Sequence, residues 1–174
     1  MTQACSHEPL SSGVTCARCG RLAELSTRLA PFELFALPRS VPVDQEALKA
    51  AHLKLARECH PDFNLADQSL AVKLSSHVNR SYRALLDRLG ALRELARVLA
   101  PGSSEPKVDA LFLSEMMEDS KAPDGGLLLL ARLDQELSSA EILASGSSWD
   151  KALLHMARAG YCRSLSARAM ELLP

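Results

Sequence analysis

From residue 31 onward, apolar side chains recur at steps of three and four, the spacing of one buried helical face, and nowhere alternate long enough to make a strand. The pattern predicts an all-α protein. Pro31 to Leu37 reads as a short first helix bearing Phe32, Leu34, Phe35 and Leu37, closed by Pro38 and followed by a loop containing Pro42. Asp44 is placed to cap the next helix, its carboxylate accepting from the free amides of the first turn. Leu48, Ala51, Leu55 and Cys59 make that helix's buried stripe until Pro61 stops it, and Lys49, Lys54 and Arg57 fall on the face left to water. A polar loop, Asn64 to Asp67, leads to a third helix with the stripe Leu70, Leu74, Val78, Tyr82 and Leu85. Gly90 is expected to separate it from a leucine-rich fourth helix (Leu92, Leu95, Leu99). Two long helices joined by a tight loop should lie antiparallel.

Pro101 to Pro106 has two prolines, a glycine and no apolar side chain, and reads as a linker. Three further helical patterns follow, at about 108–121, 127–144 and 148–172, separated by Pro123-Asp-Gly-Gly126 and Ser145-Gly-Ser-Ser148. They predict a three-helix bundle, with Leu130, Leu133, Leu137 and Ala140 facing inward from the middle helix and Leu154, Ala157, Tyr161, Leu165 and Leu172 from the last. The expected organisation is an amino-terminal extension (1–30), a first helical domain (31–100), the linker (101–107) and a second helical domain (108–174).

Composition narrows the function. At 47% hydrophobic and 24% charged, the chain of 174 residues is neither disordered nor collagen-like. Its 20 basic and 21 acidic residues leave a net charge of -1, without the basic surface a general nucleic-acid binder needs to displace counterions. No apolar run reaches the roughly 18 residues of a membrane helix, since Leu127 to Leu130 is soon followed by Arg132. The first residues have neither signal-peptide nor transit-peptide character, so a cytoplasmic address is expected. No glycine-rich phosphate loop is present, and no bound nucleotide is expected. Five cysteines in a reducing compartment read as thiols or metal ligands, with Cys59 and Cys162 on helical faces as small buried hydrophobes.

His60-Pro61-Asp62 carries the most information. It lies in the tight loop between two antiparallel helices, with Phe32 and Leu34 before the first and Asn79-Arg-Ser-Tyr82 inside the second. Proline ends the helix and fixes its own φ, which presents the neighbouring imidazole and carboxylate at the surface. As plain structure, the triplet would be a helix stop with two solvated capping groups. In this helix–loop–helix setting, residues 31–100 resemble the J-domain. That resemblance implies that His60, Pro61 and Asp62 are an effector motif engaging an ATP-driven chaperone of the DnaK/HscA type and stimulating its ATPase. Arg57 would be the matching basic residue on the preceding helix, with Lys54 and Lys49 extending the patch. Two positions depart from the common pattern: Cys59 stands where many J-domains have tyrosine, and Phe63 where they have lysine.

The second half resembles a narrower group. Asp109-Ala-Leu-Phe-Leu-Ser-Glu-Met-Met-Glu118 is similar to the segment that opens the carboxyl-terminal domain of HscB-type co-chaperones, and Trp149-Asp150 is followed at that family's spacing by Tyr161. The resemblance implies that Leu113, Ser114, Met117 and Tyr161 bind an IscU-like iron–sulfur scaffold protein and deliver it to the chaperone. Ser114 replaces a family methionine, a loss worth about 1–3 kcal/mol of apolar contact, for which Met116 could compensate. Leu113 and Met117, four apart, read equally well as bundle interior. The Pro123-Asp-Gly-Gly126 interruption shortens the middle helix relative to that family. A J-domain adaptor for a different client is the second functional reading.

Near the amino terminus, Cys16-Ala-Arg-Cys19-Gly20 has the spacing by which two thiolates grip one tetrahedral zinc, and Cys5-Ser-His7 offers two more ligands. A segment this short forms no core alone, so metal would also supply its folding energy. Eukaryotic HscB-type proteins carry a tetracysteine metal site here, which the segment loosely resembles. A redox-active dithiol and a tail with incidental cysteines are the other readings. As an enzyme, the chain would use His60 and Asp62 as an acid/base pair or Cys16 and Cys19 as a thiol couple. The first lies on a convex loop and the second does not open a helix after a strand, so a non-enzymatic co-chaperone is expected.

Overall fold

The structure, a computed structural model, describes residues 13–16 and 18–171. Among them are seven α-helices and no strand: α1 (Pro31–Leu34), α2 (Gln45–Glu58), α3 (Gln68–Leu86), α4 (Arg88–Leu99), α5 (Ala110–Asp119), α6 (Gly125–Ser145) and α7 (Trp149–Glu171). The chain divides into two compact units between Leu95 and Ala96, within α4.

In the first unit, Asp44 caps α2 as its position predicts, one carboxylate oxygen accepting from the N–H groups of Glu46 and Ala47 at 3.0 Å. Helix α2 runs to Glu58, closed by Cys59 one residue ahead of His60-Pro61, because proline has no N–H to continue the ladder. Leu48, Leu55 and Cys59 are buried and Ala51 half-buried, while Lys49, Lys54 and Arg57 are exposed. Helix α3 packs on α2, burying Ala71, Leu74, Val78, Ser81 and Leu85, with Leu70 and Tyr82 half-buried at the edge of that face. The pair is antiparallel. His52, midway along α2, stacks on Tyr82, late in α3, with ring centroids 4.0 Å apart, and its Nε2 lies 3.0 Å from Asn79 Oδ1. Cys59, at the end of α2, meets Ser75, early in α3.

Four details depart from the periodicity. Helix α1 stops at Leu34 because Ala36 takes a left-handed φ of 54°. The polar stretch after Pro61 is wound into two short 3-10 turns, Pro61–Phe63 and Leu65–Asp67. The break between α3 and α4 falls at Asp87, whose backbone is extended, and Gly90 lies inside α4. Asp87 Oδ2 accepts the Gly90 N–H at 2.9 Å. A Cβ on Gly90 would stand 2.3 Å from the Ala84 carbonyl oxygen, so the glycine permits a close approach of two helices rather than a loop. Leu99, expected in the core, is half exposed at the end of α4.

The second unit is a three-helix bundle. Asp109 caps α5 by accepting the Phe112 N–H at 2.9 Å, and α6 and α7 pack along their lengths. Phe112 and Met116 of α5 join Leu129, Cys162 and Leu165 in one buried cluster. In α6 the expected face holds at Leu137 and Ala140, which are buried, and at Leu133, which packs on the cluster, while in α7 the inward face is turned from that expected. In α6 Leu129 is buried and Leu130 exposed; in α7 Ala152, Leu153, Met156, Ala159, Cys162 and Leu165 are buried, with Leu154, Ala157 and Tyr161 half-buried. Apolar residues are spread around α7, so periodicity alone does not select its face. Leu172 lies outside the described residues.

Candidate functional site

Cys59 is completely buried at the end of α2, and its Sγ lies 3.4 Å from Ser75 Oγ. The Ser75 hydroxyl donates to the Cys59 carbonyl at 2.9 Å, which leaves the Ser75 oxygen to accept from the thiol. Burial pushes the Cys59 thiol up from its ordinary value and keeps the S–H in place as donor. This pair ties the last turn of α2 to α3 immediately before the loop.

His60 opens the first 3-10 turn, and its Nδ1 accepts the Asp62 N–H at 3.2 Å. A neutral ring that accepts at Nδ1 carries its proton on Nε2. The side chains of His60 and Asp62 are 50% and 80% exposed, with Asp62 Oδ2 3.7 Å from the ring nitrogen, so a partner can reach a donor and a carboxylate together. Pro61 sits at the first position of the turn, where its missing N–H leaves no hydrogen bond unmade.

Two residues of this loop carry more than the sequence pattern assigned to them. The Asn64 amide donates to the carbonyls of Glu58 and His60, both at 2.9 Å, and so clips the loop to the end of α2. An asparagine at the end of a proline-started turn is the signal that could have found it. Phe63 is 74% exposed, with its ring centroid 5.6 Å from that of His60, and with Arg57, Glu58 and Asn64 it lines a shallow depression beside the motif. On α2, Lys54 and Arg57 are one turn apart on the exposed side, and Lys49 is displaced by about 140° around the helix from Lys54.

No family model matches the chain. The co-chaperone protein HscB homolog of Bordetella petrii is 33% identical over 121 residues, covering 63% of this chain and 70% of that protein. The chain belongs to the HscB co-chaperone family. The crystal structure of human co-chaperone protein HscB superposes with a TM-score of 0.78 at 20% identity, covering 91% of this chain and 89% of that one. Chaperone HscB from Vibrio cholerae gives 0.71 at 21% identity, over 83% and 97%. Both share the HscB fold, whose J-domain includes the α2–α3 pair and its His60-Pro61-Asp62 loop.

In the second unit the HscB-type segment 109–118 is α5 with its cap. Phe112 and Met116 point into the bundle, and Cys162 Sγ lies 3.6 Å from Met116 Sδ. Met116 is only 2% exposed, so it does not replace at the surface the methionine that Ser114 lacks. Leu113 is half-buried, Met117 is 45% exposed, and Ser114 is exposed with its hydroxyl donating to the Leu111 carbonyl at 2.8 Å. These three lie beside the inner face of α5, not on it. Tyr161 of α7 packs, half-buried, against the Phe112–Met116–Cys162 cluster.

Cys16 and Cys19 share one tight turn. The Cys16 N–H donates to the Arg21 carbonyl and the Gly20 N–H to the Cys16 carbonyl, both at 2.8 Å, with Gly20 at a φ of +70° that favours glycine. Thr15 and Leu22 pair as an antiparallel bridge, the Ala23 N–H donates to the Val14 carbonyl, and Val14, Leu22 and Ala23 are buried in the first unit. Of the two thiols in this hairpin, Cys16 is buried and Cys19 exposed. Cys5 and His7 lie outside the described residues, among which no group of three or more metal-ligating side chains gathers.

Among the described residues no helix is long and apolar enough to cross a membrane.

Proposed function

We propose that this chain is a cytoplasmic, non-enzymatic co-chaperone of iron–sulfur cluster assembly. It stimulates the ATPase of a DnaK/HscA-type chaperone and delivers an IscU-like scaffold protein to it. The loop carries the reading: His60 and Asp62 are exposed side by side on a turn locked by Pro61, Asn64 and the Asp62 amide. Groups held in this way meet a partner at little ordering cost. Arg57 and Lys54, with Lys49 further along α2, supply positive charge that steers an acidic surface of the chaperone toward the loop. In the second unit, Leu113, Met117 and Tyr161 supply apolar surface to the scaffold, with Ser114 among them.

A structural zinc ion held by Cys5, His7, Cys16 and Cys19 is part of this proposal and would add folding energy to a short segment. The test of the whole reading is capture of an iron–sulfur scaffold and a DnaK/HscA-type chaperone by the purified protein, with zinc assayed on the same preparation. A second reading keeps the J-domain and changes the client. It is favoured by the burial of Met116 and the polar Ser114, which together leave less apolar surface on α5. Chaperone capture and ATPase stimulation without scaffold binding would select it.

A further inference from the structure

Asp67 stands at the boundary of α3, where an acidic side chain ordinarily caps the first free amides, yet it makes no cap hydrogen bond. Its carboxylate is held instead by Arg21, from 46 residues away. Arg21 Nη2 donates to Oδ1 at 3.0 Å and to Oδ2 at 2.9 Å, and Nε to Oδ2 at 3.3 Å. A forked guanidinium on one carboxylate fixes direction as well as distance.

Both ends of this pair lead somewhere specific. The Arg21 carbonyl accepts the Cys16 N–H, which puts the guanidinium on the cysteine turn itself. The Asp67 N–H donates to the Asn64 carbonyl at 3.1 Å, and the Asn64 amide donates to the His60 carbonyl at 2.9 Å. One connected series of contacts therefore runs from Cys16 through Arg21, Asp67 and Asn64 to His60. No residue from 60 to 67 is fully buried, so packing orders the loop only weakly and hydrogen bonds and ion pairs carry more of its order.

We propose that Arg21 is a positioning residue for the effector loop: by gripping Asp67 from the cysteine turn it braces Asn64, and through it the His60-Pro61-Asp62 turn that the chaperone engages. The proposal rests on the co-chaperone reading for its consequence and on geometry alone for the brace. The pair is solvent-accessible, with Arg21 60% and Asp67 32% exposed, so it orders the loop without adding much to global stability.

The test uses the full chain with Arg21→Ala, Arg21→Lys and Asp67→Asn. Amide hydrogen exchange is followed at Phe63, Asn64 and Asp67, whose N–H groups hydrogen-bond within the loop, and at Leu55 and Val78 in the helices. Stimulation of a DnaK/HscA-type ATPase is titrated in parallel. Arg21→Ala and Asp67→Asn should speed loop exchange about two- to fivefold and leave the helix amides unchanged, the scale expected of an exposed pair. The concentration giving half-maximal stimulation should rise by a similar factor with the maximum retained, and Arg21→Lys should fall between. Unchanged loop exchange, equal acceleration in loop and helices, or faster loop exchange with an unchanged titration would each overturn the proposal. If the wild-type protein stimulates no such ATPase while loop exchange responds as expected, the co-chaperone reading fails and the brace stands.

Discussion

Nδ1 of His155, on α7, lies 2.6 Å from Oε2 of Glu136, on α6, and the Glu136 side chain is only 4% exposed. Its other oxygen faces Arg132 Nε at 3.2 Å. The guanidiniums of Arg132 and Arg158 lie 5.3 and 4.8 Å from the Phe112 ring centroid, and Arg158 also donates to Asp109 at 2.7 Å. Charged groups thus run through the bundle and touch the base of α5. Glu136→Ala removes the acceptor facing His155 and Arg132, which are themselves only partly buried, so it should destabilise the second unit by about 1–3 kcal/mol, read from urea unfolding. Glu136→Gln, which keeps an acceptor for His155, should cost less.

Gly90→Ala should destabilise the first unit. The added methyl meets the Ala84 carbonyl at 2.3 Å, backbone against which neither helix yields cheaply. Overpacking of this kind costs about 1–3 kcal/mol, against the small gain alanine gives in an open helix. Chemical denaturation decides between the two signs.

His77 gives the first unit a pH dependence. Its Nε2 lies 3.1 Å from the Leu29 carbonyl, and burial, offset by that hydrogen bond and reinforced by Arg80, lowers its pKa from the ordinary value. A histidine held neutral by the fold contributes stability that is complete above the unfolded pKa of about 6.5 and is lost as pH falls through the lower folded value. The denaturation midpoint of the wild type should therefore drop more between pH 7.5 and pH 5 than that of His77→Gln.

On α5 the sequence places two adjacent pairs, and the structure separates their roles. Phe112→Ala should cost about 3–5 kcal/mol of stability, since the ring is 3% exposed in the cluster with Met116 and Cys162. Leu113→Ala with Met117→Ala should cost clearly less stability than Phe112→Ala, Leu113 being half-buried and Met117 exposed, and weaken binding of an iron–sulfur scaffold by about 1–3 kcal/mol. Calorimetric titration of the two variants against the scaffold separates them.

Where local chemistry settles the backbone, the sequence is a sufficient guide. Asp44 caps α2, Pro61 stops it, and Leu48, Leu55, Leu74, Val78 and Leu85 face inward at the expected spacing. The misplaced features depend on neighbours that a linear pattern does not contain. Gly90 looks like a helix breaker until the Ala84 carbonyl is seen against it. The buried face of α7 is selected by its fit to α6, because apolar and charged residues are spread around the helix. The exposed loop residues were legible as chemistry but not as geometry: His60, Pro61 and Asp62 stand out, whereas the clip made by Asn64 and the reach of Arg21 to Asp67 require the fold.

The central claim is that the His60-Pro61-Asp62 loop drives a chaperone's ATPase. It is tested most directly by comparing wild type and His60→Gln in stimulating a purified DnaK/HscA-type chaperone, with the unfolding midpoint measured alongside. His60 is half exposed and its side-chain hydrogen bond caps a short turn, so the substitution should move stability by no more than about 1 kcal/mol. The account predicts that stimulation is lost while the fold is retained. Stimulation by His60→Gln at the wild-type level would contradict it.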